Sequence, residues 1–290
     1  MRLIIVSGLS GSGKSVALAM LEDLDYYCVD NIPAGLLPGF IAYTVRTSEP
    51  AYRLTAVGVD ARNRPEDLAD VPRLVAELRR SGISCELLFL RAENEALIKR
   101  FSETRRRHPL SRDGIGLLEA LEQEHRLLEP VAGAADLTID TTRLSVHELR
   151  EMIRARVAER ATTGPSLLFE SFAYRHGVPD DADFVFDARA MPNPYWDPAL
   201  RNHTGRDAPV VKFLDEHEEV VRFLADLSGF LERWLPSLVR SNRSYLTIAI
   251  GCTGGQHRSV YLAEKLAAHF NGEYGQPLVR HRDLASRRHE

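Results

Sequence analysis

The residues best suited to chemistry lie near the start of this 290-residue chain, in a glycine-rich turn that ends in a lysine and a serine. The turn matches the pattern G-x-x-x-x-G-K-[ST], whose backbone amides surround nucleotide phosphates. Lys14 would reach the β and γ phosphates, and the Ser15 hydroxyl would ligate Mg²⁺. The predicted cradle consists of Gly8, Leu9, Ser10, Gly11, Ser12, Gly13, Lys14 and Ser15. A glycine-rich turn that binds nothing is the alternative.

A carboxylate farther along the chain could complete the metal site. Residues 54–60 read as an apolar strand that delivers Asp60. Ser15 alone supplies too little negative charge to fix Mg²⁺, so we predict Ser15 and Asp60 as metal ligands. Together with Lys14, these two residues are the predicted catalytic set. Many buried strands end in an aspartate, and Asp60 could equally be one of those.

A second glycine-rich connection between a predicted strand and a predicted helix lies near residue 254. Its side chains suit a phosphate monoester: Thr253, Gly254, His257 and Arg258. Cys252 and Arg258 also fit the C-x-x-G-x-x-R-S spacing of cysteine phosphatases, although Gly251 stands where those enzymes carry a histidine. Phosphate binding without chemistry, phosphatase activity and a purely structural turn therefore all remain open.

Two basic segments could contact phosphates. Residues 94–109 include Arg105, Arg106 and Arg107 and could close over a triphosphate as a lid, or could form a solvated helix face. The tail from residue 279 carries four arginines and could bind nucleic acid, or could be a solvated end. The predicted RNA contacts are Arg280, Arg282, Arg287 and Arg288.

The elements that must position these residues alternate between strand and helix patterns. This alternation predicts an α/β fold in which an N-terminal P-loop NTPase domain has a mainly parallel sheet and a smaller C-terminal α/β domain follows. Small, polar and turn residues interrupt the pattern near residue 160. We therefore predict domains at 1–158 and 166–290. Residues 211–238 predict one long amphipathic helical region, with an interruption near Gly229.

The composition limits which classes of protein this chain could belong to. Hydrophobic residues make up 44% and charged residues 27% of the chain, which is typical of a globular protein. The formal charge of −4 argues against a surface that binds nucleic acid everywhere, so such a site would be a local patch. The three cysteines are widely spaced and suggest neither disulfides nor a zinc cluster. With no signal sequence and no apolar run of bilayer length, we expect a cytoplasmic protein that does not contact membranes.

The chain resembles the RapZ/YvcJ family of bacterial nucleotide-binding proteins over essentially its whole length. The resemblance rests on the P-loop and on the segments 26–31, 60–63, 106–110, 192–194 and 251–259. It implies an N-terminal domain that binds ATP and GTP and hydrolyses them weakly. It also implies a C-terminal domain, similar in part to phosphofructokinase, that senses glucosamine-6-phosphate and binds RNA. In the enterobacterial branch such proteins present a small RNA to an endoribonuclease and so control amino-sugar synthesis.

The resemblance assigns roles to particular positions. The turn at residues 8–15 becomes the ATP site, and a GTP-associated motif is implied at Asp60, Ala61, Arg62 and Asn63. The implied sugar-phosphate contacts are Asp187, Asn193, Thr253, Gly254, His257 and Arg258. Tyr195 stands where some members carry histidine, and the tail has arginines where the enterobacterial branch uses lysines.

These observations lead to the hypothesis of a nucleotide-binding regulator with weak ATPase or GTPase activity. Mg²⁺ would be its metal, and its partners would be a small RNA, glucosamine-6-phosphate, an endoribonuclease or other regulatory protein, and further copies of the chain. Two alternatives stay open. One is a small-molecule kinase with Asp30 as base and Arg105–Arg107 as lid; the other is a cysteine phosphatase at Cys252 and Arg258.

Overall fold

The computed structural model describes residues 1–47, 49–111, 115–158, 165–241, 243, 245–272 and 274–284. The chain divides into two compact units, Met1–Glu159 and Arg160–Glu290, and each has its own parallel sheet and its own hydrophobic core. Within the described residues, no helix is both long enough and apolar enough to cross a membrane.

The first unit is built on a five-stranded sheet in which all paired strands run parallel. Its strands are β1 (Arg2–Gly8), β2 (Tyr27–Val29), β3 (Leu54–Gly58), β4 (Ser84–Arg91) and β5 (Leu137–Asp140). The spatial order is β2-β3-β1-β4-β5, so β1 lies at the centre. Leu3, Ile4, Ile5 and Val6 are fully buried, as expected for a strand that helices cover on both faces. The predicted parallel α/β fold is confirmed.

Six helices among the described residues connect or follow these strands. They are α1 (Lys14–Glu22), α2 (Leu37–Thr47), α3 (Pro65–Arg80), α4 (Asn94–Thr104), α5 (Leu117–Gly133) and α6 (Val146–Ile153). A capping box starts α6, because the Ser145 hydroxyl accepts from the Glu148 amide and the Glu148 carboxylate accepts from the Ser145 amide. The α6 chain then continues as a π-helical turn, Arg154–Ala158.

The second unit has a four-stranded parallel sheet in the order β7-β8-β6-β9. Its strands are β6 (Ser166–Ala173), β7 (Phe184–Asp187), β8 (Tyr245–Cys252) and β9 (Leu278–His281). Its helices are α7 (Ala208–Asp215), α8 (Glu218–Arg240) and α9 (Arg258–His269). The predicted second α/β domain is confirmed, whereas its partial similarity to phosphofructokinase stays a prediction.

The prediction of one long helical region over residues 211–238 was wrong in detail. The chain leaves the helical conformation at His217, whose φ of −97° and ψ of 113° are extended, and this residue separates α7 from α8. The α8 helix is continuous through Gly229, because a glycine within a helix weakens it without breaking it.

Candidate functional site

The predicted phosphate cradle lies between β1 and α1, and its glycines take backbone conformations that other residues rarely adopt. The φ angles are 142° at Gly8, 85° at Gly11 and 104° at Gly13. A Cβ atom at Gly8 would lie 2.1 Å from the carbonyl oxygen of Leu90 in β4. Only glycine therefore allows the turn to leave β1 this close to its neighbouring strand.

The backbone amides of the turn fall into two sets. Three donate hydrogen bonds within the protein: those of Leu9, Ser10 and Ser12. Four have no hydrogen-bond partner among the described residues: those of Gly11, Gly13, Lys14 and Ser15. Unpaired amides in series at the start of a helix are the donors that a phosphate group needs, and the helix dipole adds to their attraction.

Lys14 brings a cation to the same place. Its Nζ atom donates to the carbonyl oxygens of Gly8 at 2.7 Å and Leu9 at 2.9 Å. Burial lowers the pKa of Lys14, while the negative charges of Glu124 and Asp60 act in the opposite direction. The ammonium group is thus held beside the unpaired amides, with two carboxylates close to it.

Asp60 lies beyond the end of β3, which stops at Gly58 rather than at residue 60, and Asp60 is 6% exposed. The Arg62 side chain binds both of its carboxylate oxygens, with Nε 3.1 Å from Oδ1 and Nη2 2.6 Å from Oδ2. Burial would raise the pKa of Asp60, but the hydrogen bonds from Arg62 and the charge of Lys14 outweigh it and hold the pKa below its ordinary value. Asp60 is therefore ionised, and it already forms an ion pair with Arg62.

The other residues of the motif at 60–63 stabilise the turn that follows β3. The Asn63 side chain accepts from the Ala34 amide at 2.6 Å and donates to the Asp60 carbonyl oxygen at 3.1 Å. Ala61 is buried. Within the described residues, no cluster of three or more His, Cys, Asp or Glu side chains could hold a metal ion. A Mg²⁺ ion at Ser15 and Asp60 would accordingly take further ligands from phosphate oxygens and water, as this ion usually does.

Three residues outside the motif contact the opposite side of the turn. One of them, Arg100, lies in the basic segment at residues 94–109, and sequence reasoning missed the other two. Thr141 donates from Oγ1 to the Ser12 carbonyl oxygen at 2.9 Å. Arg100 donates from Nη1 to the Gly11 carbonyl oxygen at 3.0 Å. The Ser12 carbonyl belongs to the same peptide group as the unpaired Gly13 amide, so the bond from Thr141 turns that amide away from Thr141. The third residue is Glu124.

Glu124 is a fully buried carboxylate in α5. Its Oε2 atom accepts from the Ser10 amide at 2.8 Å and from His108 Nε2 at 3.0 Å, and its Oε1 atom accepts from Ser10 Oγ at 2.7 Å. Because His108 Nδ1 accepts from the Leu110 amide at 3.2 Å, Nε2 is assigned as the protonated nitrogen that donates to Glu124. The signal that could have found this residue is a charge on the apolar face of α5, in line with Ala120, Leu121 and Leu128.

Glu124 makes stability depend on acid, and the sign follows from its pKa. Burial would raise the pKa of Glu124, but hydrogen bonds from His108 and Ser10 and the charge of Lys14 hold it below its ordinary value of 4.5. A carboxyl with a lowered pKa in the folded state stabilises the fold above that ordinary value and loses this contribution as the pH falls through the folded pKa. We expect the urea concentration at the unfolding midpoint of the first unit to decrease as the pH is lowered below about 4.5. The decrease should be smaller in Glu124→Gln. Equal acid dependence in both proteins would contradict this assignment.

The basic segment at residues 94–109 consists of α4 and the residues that follow it. Arg105, Arg106 and Arg107 are exposed, and the buried His108 anchors their end of the segment to Glu124. The lid and the solvated basic face both stay predictions.

In the second unit, Arg258 joins the two segments that carry the predicted sugar-phosphate residues. It begins α9 and is 4% exposed. Its Nη1 atom donates to the carbonyl oxygens of Arg189 and Met191, both at 2.9 Å, and its Nη2 atom lies 3.4 Å from Thr253 Oγ1. Burial lowers the pKa of Arg258, and Cys252 and Asp187 act in the opposite direction.

The loop before α9 also presents amides. Among the amides of this loop and of the first turn of α9, those of Gly254, Gly255, Arg258 and Ser259 have no hydrogen-bond partner in the described part of the chain. Gly255 has a φ of 65°, and a Cβ there would lie 3.0 Å from the Ala173 amide nitrogen. As in the first unit, amides at a helix start lie beside a buried cation.

The other predicted sugar-phosphate residues differ in their surroundings. Asp187 binds Arg189 through both carboxylate oxygens, and the Arg189 guanidinium lies 3.9 Å from the centre of the Tyr174 ring. Asn193 caps the short turn Pro194–Trp196. The His257 ring is buried and lies 3.2 Å from the Leu200 carbonyl oxygen. Sequence reasoning missed Arg189 and Tyr174, which border Asp187.

Cys252 is the last residue of β8, and it is 3% exposed. Its Sγ atom lies 3.1 Å from Ser259 Oγ. A phosphatase nucleophile must reach its substrate as a thiolate. This buried position gives the phosphatase alternative no support.

The predicted RNA contacts are divided by the end of the described chain. Arg280 lies in β9 and forms an ion pair with the buried Glu170 at 3.0 Å. Arg282 lies 3.4 Å through Nη1 from the Gly177 carbonyl oxygen. Arg287 and Arg288 are outside the described residues.

Comparison with known proteins gives matches over nearly the whole chain. The model of the RapZ-like N-terminal domain matches residues 1–161, and that of the RapZ C-terminal domain matches residues 165–285. A nucleotide-binding protein of Thioalkalivibrio sulfidiphilus is 54% identical over 98% of this chain and 100% of its own length. One of Nitrosococcus oceani is 53% identical with the same coverage. Among solved structures, shikimate kinase of Bacteroides thetaiotaomicron is 14% identical with a TM-score of 0.36, covering 53% of this chain and 96% of that kinase.

Proposed function

This chain belongs to the RapZ family, and from that premise we propose that it is a nucleotide-binding regulator. Its first unit binds ATP or GTP with Mg²⁺ and hydrolyses the nucleotide slowly. Its second unit senses glucosamine-6-phosphate and contacts a small RNA. The protein acts in the cytoplasm as a homo-oligomer that presents the RNA to an endoribonuclease or another regulatory protein.

The observation that carries the nucleotide proposal is the set of four unpaired amides beside the Lys14 ammonium. Helix-start amides and a lysine together form the usual donor set for nucleotide phosphates in P-loops. The curated relatives carry the name nucleotide-binding protein, which supports the same function here.

The side chains have distinct roles in this proposal. Lys14 and the amides hold the phosphates, and Ser15 and the ionised Asp60 would hold Mg²⁺, which neutralises charge on the phosphates when bound. The Asp60 carboxylate would then interact both with Arg62 and with the ion or its water ligands. Hydrolysis is slow because Asp60 is held in an ion pair with Arg62 and is not available as a free base.

Arg258 and the amides beside it support sugar-phosphate sensing in the second unit. A buried guanidinium and unpaired amides suit the phosphate, and Asp187 and Asn193 lie on the segment that Arg258 binds. The identity of the sugar and of the RNA rests on the family resemblance. Arg280 and Arg282 lie at the start of the basic tail, where RNA contact is proposed.

Thermal unfolding of the full chain with each ligand tests both parts. A ligand at one hundred times its Kd should add about 2.7 kcal/mol to the unfolding free energy of the unit that binds it. We expect MgATP or MgGTP to raise one transition and glucosamine-6-phosphate to raise the other. Inorganic phosphate at equal ionic strength is the control. The absence of a shift at saturating glucosamine-6-phosphate would contradict the sensing proposal, and the absence of any nucleotide shift would contradict nucleotide binding.

The kinase alternative retains one specific observation. The charge of Asp30 acts on Lys14, as those of Glu124 and Asp60 do, and its Oδ1 lies 2.9 Å from where a Cβ of Gly58 would be. A third carboxylate therefore lies near the phosphate end. Stoichiometric ATP consumption that depends on a defined acceptor would favour this alternative.

A further inference from the structure

The buried Glu124 is not explained by phosphate binding, because a carboxylate next to a phosphate cradle repels the ligand. We propose that Glu124 is a specificity-determining residue of the nucleotide site: its hydrogen bonds shape the turn, while its charge limits affinity for the terminal phosphate. This inference rests on the proposed nucleotide binding.

The hydrogen bonds account for the shaping role. Glu124 takes the Ser10 amide and the Ser10 hydroxyl, so Ser10 is bound on the α5 side of the turn. The amides that follow remain unpaired. Because His108 supplies a third donor, the carboxylate is held in one position and cannot rotate away without leaving buried donors unpaired.

The charge accounts for the limiting role. Among the charged groups that act on Lys14, Glu124 has the largest effect, ahead of Asp60, Arg62 and Asp30. Water and salt screen this pair poorly because Glu124 is fully buried. The phosphate that Lys14 binds must therefore compete with a fixed anion for the same cation. A nucleoside triphosphate carries more negative charge than a diphosphate, so this competition weighs more heavily on the triphosphate.

The geometry allows the two roles to be separated by one substitution. In Glu124→Gln, the side-chain carbonyl oxygen can take the place of Oε2 and accept from the Ser10 amide and from His108. The new NH₂ group then takes the place of Oε1 and donates to Ser10 Oγ, whose hydroxyl rotates. The three contacts are kept, the direction of the one with Ser10 Oγ is reversed, and the negative charge is lost.

The experiment measures the Kd of MgADP and of a magnesium-bound, non-hydrolysable ATP analogue by calorimetry on the full chain. We expect Glu124→Gln to bind MgADP about threefold more tightly and the ATP analogue about tenfold more tightly, since the two ligands differ in charge. The control is Glu122→Gln, which removes an equal charge from the exposed face of α5 and should change neither Kd. Glu124→Ala, which leaves three donors unpaired, should bind both ligands more weakly.

The ratio of the two Kd values keeps the test valid if a variant is partly unfolded. A reduced folded fraction weakens both apparent affinities by the same factor and leaves their ratio unchanged. Glu124→Asp keeps the charge and should keep the ratio of the unmodified protein. An unchanged ratio in Glu124→Gln would overturn the inference. If the unmodified protein binds neither nucleotide, the proposed function itself fails, and the two failures are distinguishable.

Discussion

Lys14→Ala is expected to weaken binding of MgATP and MgGTP by about a hundredfold, or roughly 3 kcal/mol, while the protein stays folded. The loss follows because the ammonium group is held beside the unpaired amides and would make charge-assisted hydrogen bonds to two phosphates. Calorimetric titration of the full chain measures it.

The fold should lose only about 1 kcal/mol in this variant. The Gly8 and Leu9 carbonyl oxygens lose a donor, but two effects limit the cost. Lys14 is a buried cation whose pKa burial already lowers, so its removal relieves a desolvation cost. The two nearby carboxylates keep their own partners, since Glu124 binds Ser10 and His108 and Asp60 binds Arg62. Lys99→Ala removes an exposed lysine from α4 and should bind as the unmodified protein does. Nucleotide affinity that survives Lys14→Ala would place the phosphates outside this turn.

Much of the first unit could be predicted because its signals are local. The apolar run at residues 3–6, the glycines of the turn and the buried positions of α3 each follow from short-range pattern. The P-loop can be recognised for the same reason, because Gly8 and Gly13 adopt backbone conformations that only glycine adopts easily.

The partners of the charged residues could not be predicted, because they come from distant parts of the chain. Glu124 lies 114 positions from Ser10, and no spacing rule joins a residue of α5 to a turn after β1. Similarly, the motif at residues 60–63 predicts a carboxylate but not that Arg62 binds both of its oxygens. These contacts exist only once the parallel strands bring their ends together.

The division between α7 and α8 shows how a local signal can mislead. Glycine has a weak helix propensity, so the pattern places the interruption near Gly229. A Cβ there would meet nothing within 4 Å, and the helix continues through it. The actual break follows from His217, whose Nδ1 lies 2.7 Å from the Phe213 carbonyl oxygen near the end of α7. Imidazole contacts of this kind leave little trace in a hydrophobic pattern.

The second large effect concerns Arg258. Arg258→Ala should lower the unfolding free energy of the second unit by about 3 kcal/mol, because it leaves the carbonyl oxygens of Arg189 and Met191 without their charged donor. The same change should abolish measurable binding of glucosamine-6-phosphate. Arg258→Lys should recover little of either, since one ammonium cannot reproduce the fork that reaches two carbonyls and Thr253.

Cys252→Ser distinguishes phosphate binding without chemistry from the phosphatase alternative. Cys252 contacts Ser259 at 3.1 Å inside the unit, and a serine there keeps a polar contact of similar size. If the loop binds phosphate without chemistry, Cys252→Ser should bind glucosamine-6-phosphate as the unmodified protein does, while Arg258→Ala should not.

Calorimetry gives both affinities, and thermal unfolding shows whether each variant is folded at the temperature used. Binding that persists in folded Arg258→Ala would exclude the guanidinium as the phosphate partner, and phosphomonoester turnover lost in Cys252→Ser would restore the thiol as a nucleophile.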